Sequence, residues 1–161
     1  MQHTQSSPPP PPDVAASAKD TTILPSTPLE RARAAIWADQ IVGKFIPAFY
    51  GLLMCKDETA VPAKKVALEA AAAAAGTFLA SSPSPGPFVL GARISLSDFL
   101  LWPFVERLCT VEHYRAFSMP VGSPGLDSFA SWCAACRANK SVVATKQDRE
   151  LFIEGYRSYA T

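Results

Sequence analysis

Between residues 28 and 54 the apolar positions recur at helical spacing: Leu29, Ala32, Ile36, Trp37, Ile41, Phe45, Phe49, Leu52 and Leu53. Thr27 is placed to cap this helix, Pro28 suits its first position, and Glu30 completes a capping box. Pro47 removes one backbone donor, so the helix is expected to bend near it. A second helix is predicted over about 61–80, where Val66, Phe78 and Leu79 flank the run Ala70 to Ala75. Alanine costs least in a helix and lets a neighbour approach closely. Residues 81–87 form a Pro/Ser/Gly loop, Phe88-Val89-Leu90 reads as a short extended piece, and Gly91 turns the chain.

The most complete local instructions follow. Ser95 is placed as N-cap and Asp98 sits three residues on, while Ile94 and Phe99 can form a hydrophobic staple across the helix start. The residues beyond, from Leu100 to Leu108, are so apolar that the helix should be buried on nearly every side. It is predicted to run from 96 to about 110, through Pro103. Leu126, Phe129, Trp132, Cys133 and Cys136 mark a fourth helix ending near Asn139. One or two turns over 141–145 and a last helix over 148–159 complete the pattern. In that last helix Leu151, Phe152, Gly155 and Tyr156 are the buried candidates. No segment alternates as a strand would. The fold class is all-α, a bundle of five or six helices over residues 25–161. Residues 1–24, with five prolines from Pro8 to Pro12, favour polyproline II and are expected to be a disordered tail.

Composition removes several function classes. Fifteen Lys and Arg against fourteen acids give a net charge of +1, no electrostatic case for nucleic acid or an anionic membrane. No apolar run approaches the roughly 18–20 residues that span a bilayer. The start leads into prolines instead of a signal-peptide core, so a cytoplasmic protein with reduced thiols is expected. The four cysteines are too few and too unevenly spaced for a disulfide framework. Cys133 and Cys136 fall in mid-helix with no preceding strand, which favours buried structural thiols over a redox pair. With only His3 and His113, no four-ligand metal set is apparent. There is no glycine-rich phosphate loop and no nucleophile elbow. Trp102, Arg107, Arg149 and Tyr156 remain as candidate site residues. Arg107 either pairs with Glu106 or Asp98 or reaches a ligand, and Tyr156 can bury its ring while its hydroxyl stays reachable.

The Ser95-x-x-Asp98 start with Ile94 and Phe99 resembles the corresponding helix in the C-terminal domain of glutathione S-transferases. The longer run, with Trp102-Pro103-Phe104-x-Glu106-Arg107-Leu108, looks like the omega class. Leu24 to Ala32 is similar to the omega linker, and Asp148 to Tyr156 to its last helix. The resemblance implies a helical domain that supplies much of a hydrophobic co-substrate pocket, with Arg107 and Tyr156 near it. Arg149 stands where the family often has a tryptophan. The parent activity would be glutathione-dependent thiol transfer, reduction or conjugation. In complete omega enzymes a preceding thioredoxin-like domain binds glutathione and carries the catalytic cysteine. This chain begins where that domain ends, so no catalytic residue and no cofactor are expected in it, and little activity alone. Glutathione would be a co-substrate only if that domain were supplied. Expected partners are a thioredoxin-like domain, another protein or a second copy of the chain. The rival reading is a non-catalytic module that binds proteins or hydrophobic ligands.

Overall fold

Thr27 begins the first helix as its side chain requires. Its Oγ1 accepts the Glu30 N–H at 3.1 Å, and Glu30 Oε2 accepts the Thr27 N–H at 3.1 Å. In the computed structural model, which describes residues 23–161, this helix is α1, Pro28–Gln40. The expected Pro-rich tail lies, but for its last two residues, outside the described residues.

The single helix expected over 28–54 is two. A π turn, Ile41–Phe45, separates α1 from α2, Ile46–Leu53. The irregularity comes just before Pro47. Proline has no N–H to give the Gly43 carbonyl, and the wider turn, closed by Ile46 N–H to Ile41 O, makes room for its ring.

The second predicted helix is α3, Val61–Ala80. Phe88-Val89-Leu90 is a tight turn rather than an extended piece, because Phe88 and Gly91 exchange two hydrogen bonds of 3.0 Å. Helix α4 is Leu96–Glu106; the chain breaks at Arg107 and continues as α5, Leu108–Arg115. Helix α6 is Pro124–Ala138 and α7 is Lys140–Thr145. The last predicted helix is also broken, into α8, Arg149–Gly155, and α9, Arg157–Ala160. The fold is all-α, and no strand occurs among the described residues. None of these helices is long and apolar enough to cross a membrane.

The core runs between α1, the π turn, α2, α3, α4 and α6, with Trp37, Phe45, Phe49, Leu68 and Trp132 almost fully buried. Its tightest seam is α3 against α6, not the environment of α4. A Cβ on Gly76 would lie 1.7 Å from the Gly125 carbonyl oxygen, so backbone meets backbone there. Helix α4 keeps one open side, with Leu96 exposed and Phe99, Leu100 and Phe104 half-buried.

Asp98 ties the layers together. Fully buried, it accepts the Ser95 N–H and the Ser95 hydroxyl on Oδ2, both at 2.8 Å. On Oδ1 it accepts the Val89 N–H at 3.0 Å and the Trp132 indole N–H at 2.8 Å. Trp37 reaches the same corner, its indole donating to Ser97 O at 2.7 Å. Ile94 and Phe99 pack half-buried against this core.

Several residues read as core are not. Leu29 and Ile36 on α1 are 65% and 53% exposed, and Leu151 on α8 also faces solvent. Trp37 and Ile41 already fill the inner side of the first helix, which leaves its other apolar stripe outward. The C-terminal end is held mainly by polar ties: Tyr114 hydroxyl to Ile153 O at 2.7 Å, and Arg115 to Ala160 O at 2.6 Å. Arg115 also donates to Leu52 O at 3.2 Å, so one guanidinium joins two helix ends.

Candidate functional site: an aromatic cluster and an adjoining cavity

The four candidate residues separate into two adjacent places. Arg107 and Tyr156 come together, while Trp102 and Arg149 line a cavity on another side of the α4–α5 segment. Phe152 is the wall between them, lining the cavity and lying 5.2 Å from the Arg107 guanidinium carbon.

The first place is aromatic. Phe49 packs edge-on against Tyr50, Phe104 and Tyr156, with ring centroids 5.2, 6.0 and 6.4 Å apart. Arg107 lies at the break between α4 and α5, and its guanidinium carbon stands 6.0 Å from the Tyr156 ring. It donates to the Pro103 carbonyl at 2.5 Å, and its Nε is buried with no acceptor among the described residues. The ion pair expected with Glu106 or Asp98 does not form. Asp98 has already spent both carboxylate oxygens on Ser95, Val89 and Trp132. The Tyr156 hydroxyl is pushed up to about 12 by burial and a hydrogen bond with Tyr50, against the opposing pull of Arg107. It therefore stays protonated at neutral pH. The cluster offers one cation and one phenol among aromatic faces, which suits an apolar molecule bearing a polar atom.

The second place is a cavity of about 700 Å3. Its walls include Trp102 and Val105 of α4, Cys109 of α5, Phe129 and Cys133 of α6, and Phe152 of α8. Along α4 and α5 these positions repeat at three- and four-residue intervals, the signature of a single helical face. Trp102 is 6% exposed, and its indole N–H has no acceptor among the described residues. Arg149 is half-exposed at the rim and pairs with Glu112 at 2.7 Å. The predicted pocket tryptophan position thus carries an ion pair on the surface.

Tyr50, Phe49 and Phe104 belong to the first place, and Arg137 and Glu112 to the second. None was singled out from the sequence as a site residue. The helical spacing of Phe49 marked it as core and Phe104 stood in the family-like run, while nothing local marked Tyr50, Glu112 or Arg137.

The cysteines are poor nucleophiles here. Burial pushes the Cys133 thiol from its ordinary 9.0 up to about 12, with Arg137 pulling the other way. Burial pushes Cys136 up as well, aided by the nearby Asp98 charge, and burial also raises Cys109. A raised folded-state pKa disfavours the thiolate in the fold. The stability contributed by Cys133 in its protonated form is therefore complete below about pH 9 and is lost as pH rises through about 12. An aryl disulfide reagent at mildly alkaline pH is expected to modify half-buried Cys55 quickly and the three buried cysteines only after urea unfolding. Rapid modification of Cys133 or Cys136 in the folded chain would contradict this.

Comparison with known proteins agrees with this fold. Residues 35–143 match the family described as glutathione S-transferase, C-terminal domain. The chain is 29% identical over 137 residues to glutathione S-transferase U12 of Arabidopsis thaliana, covering 84% of this chain and 53% of that protein. A trimeric glutathione transferase of Leishmania superposes with a TM-score of 0.70 at 26% identity, over 84% of this chain and 30% of that one. Glutathione transferase Omega 3C of Trametes versicolor superposes with a TM-score of 0.69 at 22% identity, over 83% of this chain and 54% of that one. The fold is thus the one that glutathione transferases carry as their helical domain. The chain belongs to the glutathione S-transferase C-terminal domain family. It spans about half the length of the curated relatives it matches.

Proposed function

We propose that this chain is the co-substrate-side helical domain of an omega-like glutathione transferase, serving glutathione-dependent thiol transfer, reduction or conjugation. One observation carries the reading: Arg107 and Tyr156, far apart in sequence, meet in one aromatic cluster that suits an apolar co-substrate. The omega placement rests on the Trp102-Pro103-Phe104-x-Glu106-Arg107-Leu108 run. In this reading the chain works in the cytoplasm, and glutathione and the reacting thiolate are supplied by a thioredoxin-like domain. Among the described residues Cys109, Cys133 and Cys136 are buried with raised pKa values, so none is suited to act as that thiolate.

The purified chain, given glutathione with a small disulfide or an aryl halide, is expected to match the rate of a glutathione-only blank. A rate well above the blank would overturn the inactive-alone part of the proposal.

A second reading, a non-catalytic interaction module, is favoured by the outer face of α1. Leu29, Ala32 and Ile36 share that face and are exposed, as are Ile23 and Leu24 just before it. Exposed apolar residues grouped on one helix face suit contact with another surface. A thioredoxin-like domain, another protein or a second copy of the chain would cover it, and self-association has a precedent in the trimeric Leishmania transferase.

A further inference from the structure

Beyond the Arg107–Tyr156 pair, the aromatic cluster continues to the surface. The Tyr159 ring stands 5.5 Å from Tyr156 and 6.3 Å from Tyr50, and Tyr50 stands 6.3 Å from Phe104. Tyr159 is 49% exposed, and Tyr50, Phe104 and Tyr156 are half-buried, so each of the four keeps some surface open to solvent. The rings are inclined to one another: Tyr159 by 36° to Tyr156 and 48° to Tyr50, and Tyr50 by 81° to Phe104. Inclined rings leave notches between them, and aromatic-lined grooves are what proline-rich segments dock on. A polyproline II chain makes no hydrogen bonds of its own, so its carbonyls are free to accept from tyrosine hydroxyls.

The sequence carries such a segment in the five prolines Pro8 to Pro12. They lie outside the described residues, which begin at Ile23. The Ile23 carbonyl accepts the Leu96 N–H at 2.8 Å, at the start of α4. From there Leu96, Leu100 and Phe104 follow at four-residue intervals along one face of α4, Leu96 exposed and the other two half-buried. This apolar track leads from the entry of the chain to the tyrosines over about 12 Å of helix. Ten residues lie between Pro12 and Ile23, and an extended chain of that length reaches about 35 Å. The reach is ample. Charge agrees with it: Asp13 follows the prolines, and Arg107, the cation of the cluster, makes no ion pair among the described residues.

We propose that Pro8 to Pro12 dock on the surface formed by Tyr50, Phe104, Tyr156 and Tyr159 of their own chain, with Asp13 towards Arg107. A proline run is extended beforehand, so docking it costs little conformational entropy. The contact lies over the outer edge of the Arg107–Tyr156 cluster and holds whether or not that cluster also takes a co-substrate.

The test is fluorine NMR of the full chain carrying ring-fluorinated tyrosine at its four tyrosines. The reference is the full chain with Pro8, Pro9, Pro10, Pro11 and Pro12 all replaced by serine. Relative to it, the wild-type chain is expected to show shifted Tyr50, Tyr156 and Tyr159 signals. Tyr114, whose ring packs on His113, is expected to stay in place and so verifies that the fold is kept. The wild-type shifts should survive an about tenfold dilution, because the prolines and their site share one chain. A free peptide of residues 1–22, added to the serine variant, should bring the three signals saturably towards their wild-type positions. Tyr159→Ala, made in the serine variant at this half-exposed position, should weaken that peptide about tenfold. The proposal is overturned by identical Tyr50, Tyr156 and Tyr159 signals in the wild-type chain and the serine variant. Shifts that fade on dilution, the mark of docking between copies, overturn it too, as does unchanged peptide affinity in Tyr159→Ala.

Discussion

Asp98→Ala is expected to lower the stability of the chain by about 3–5 kcal/mol, seen as an earlier urea midpoint with an unchanged m-value. The substitution removes a carboxylate that is 0% exposed and accepts four hydrogen bonds. It strands the Ser95 N–H and hydroxyl, the Val89 N–H and the Trp132 indole, none of which can turn to solvent while the fold holds. Each lost partner costs about 1–3 kcal/mol, and the four are not additive because they share one acceptor. Asp98→Asn is the discriminating variant. Its amide oxygen can serve Val89 and Trp132, but its NH2 group would face the Ser95 N–H. About 2 kcal/mol is expected there, from one donor facing another. A cost below about 1 kcal/mol for Asp98→Ala would show that the chain does not rely on this carboxylate.

Gly76→Ala is the second large effect, and its sign runs against helix propensity. In an exposed helix interior the change from glycine to alanine is favourable by about 1 kcal/mol. Here a loss of about 3 kcal/mol or more is expected, because overpacking at a rigid contact forces backbone shifts. The new Cβ would sit 1.7 Å from the Gly125 carbonyl oxygen and 2.8 Å from the Phe129 nitrogen. Both neighbours are main-chain atoms of α6, so no rotamer change relieves the clash. Gly125→Ala should behave alike, since its Cβ would meet the Ala73 carbonyl oxygen at 2.6 Å. Urea unfolding of both variants checks this. A stabilised Gly76→Ala would mean that α3 and α6 are further apart than described.

The helix starts were legible because their causes are short-range. Thr27 with Glu30 and Ser95 with Asp98 lie three residues apart, and their side chains reach one another within a single turn. The extent of α3 was legible for a similar reason, since a proline near its start and an alanine run leave few alternatives. The helix ends and breaks were less so. Pro47 announced a disturbance, yet whether it became a bend or a π turn depended on how Ile41 and Phe45 had to enter the core. The break at Arg107 carries no proline or glycine at the break itself, and the one at Tyr156 follows Gly155, which the sequence pattern had placed inside the helix. Leu29 and Ile36 had the right period for burial but lie on the side of α1 that the bundle leaves open.

The candidate site was half legible. Arg107 and Tyr156 were singled out and do meet, whereas the splitting of Trp102 and Arg149 into a separate cavity could not be foreseen. The walls of that cavity come from five helices, and the ion pair between Glu112 and Arg149 joins residues that no local rule connects.

By itself, then, the sequence determined an all-α domain, where its main helices begin, and which family they belong to. These follow from capping, periodicity and short motifs, all interactions between near neighbours in the chain. Only the tertiary structure decided what those helices do to one another. Ser95 and Asp98 form a local pair in sequence; in the fold the same carboxylate also holds Val89 and Trp132, and so joins α4 to α6. Gly76 looked like a weak point in an alanine helix; in the fold it lets two backbones touch. Contacts between distant segments depend on how whole helices are oriented, and that orientation is settled by packing the complete core at once.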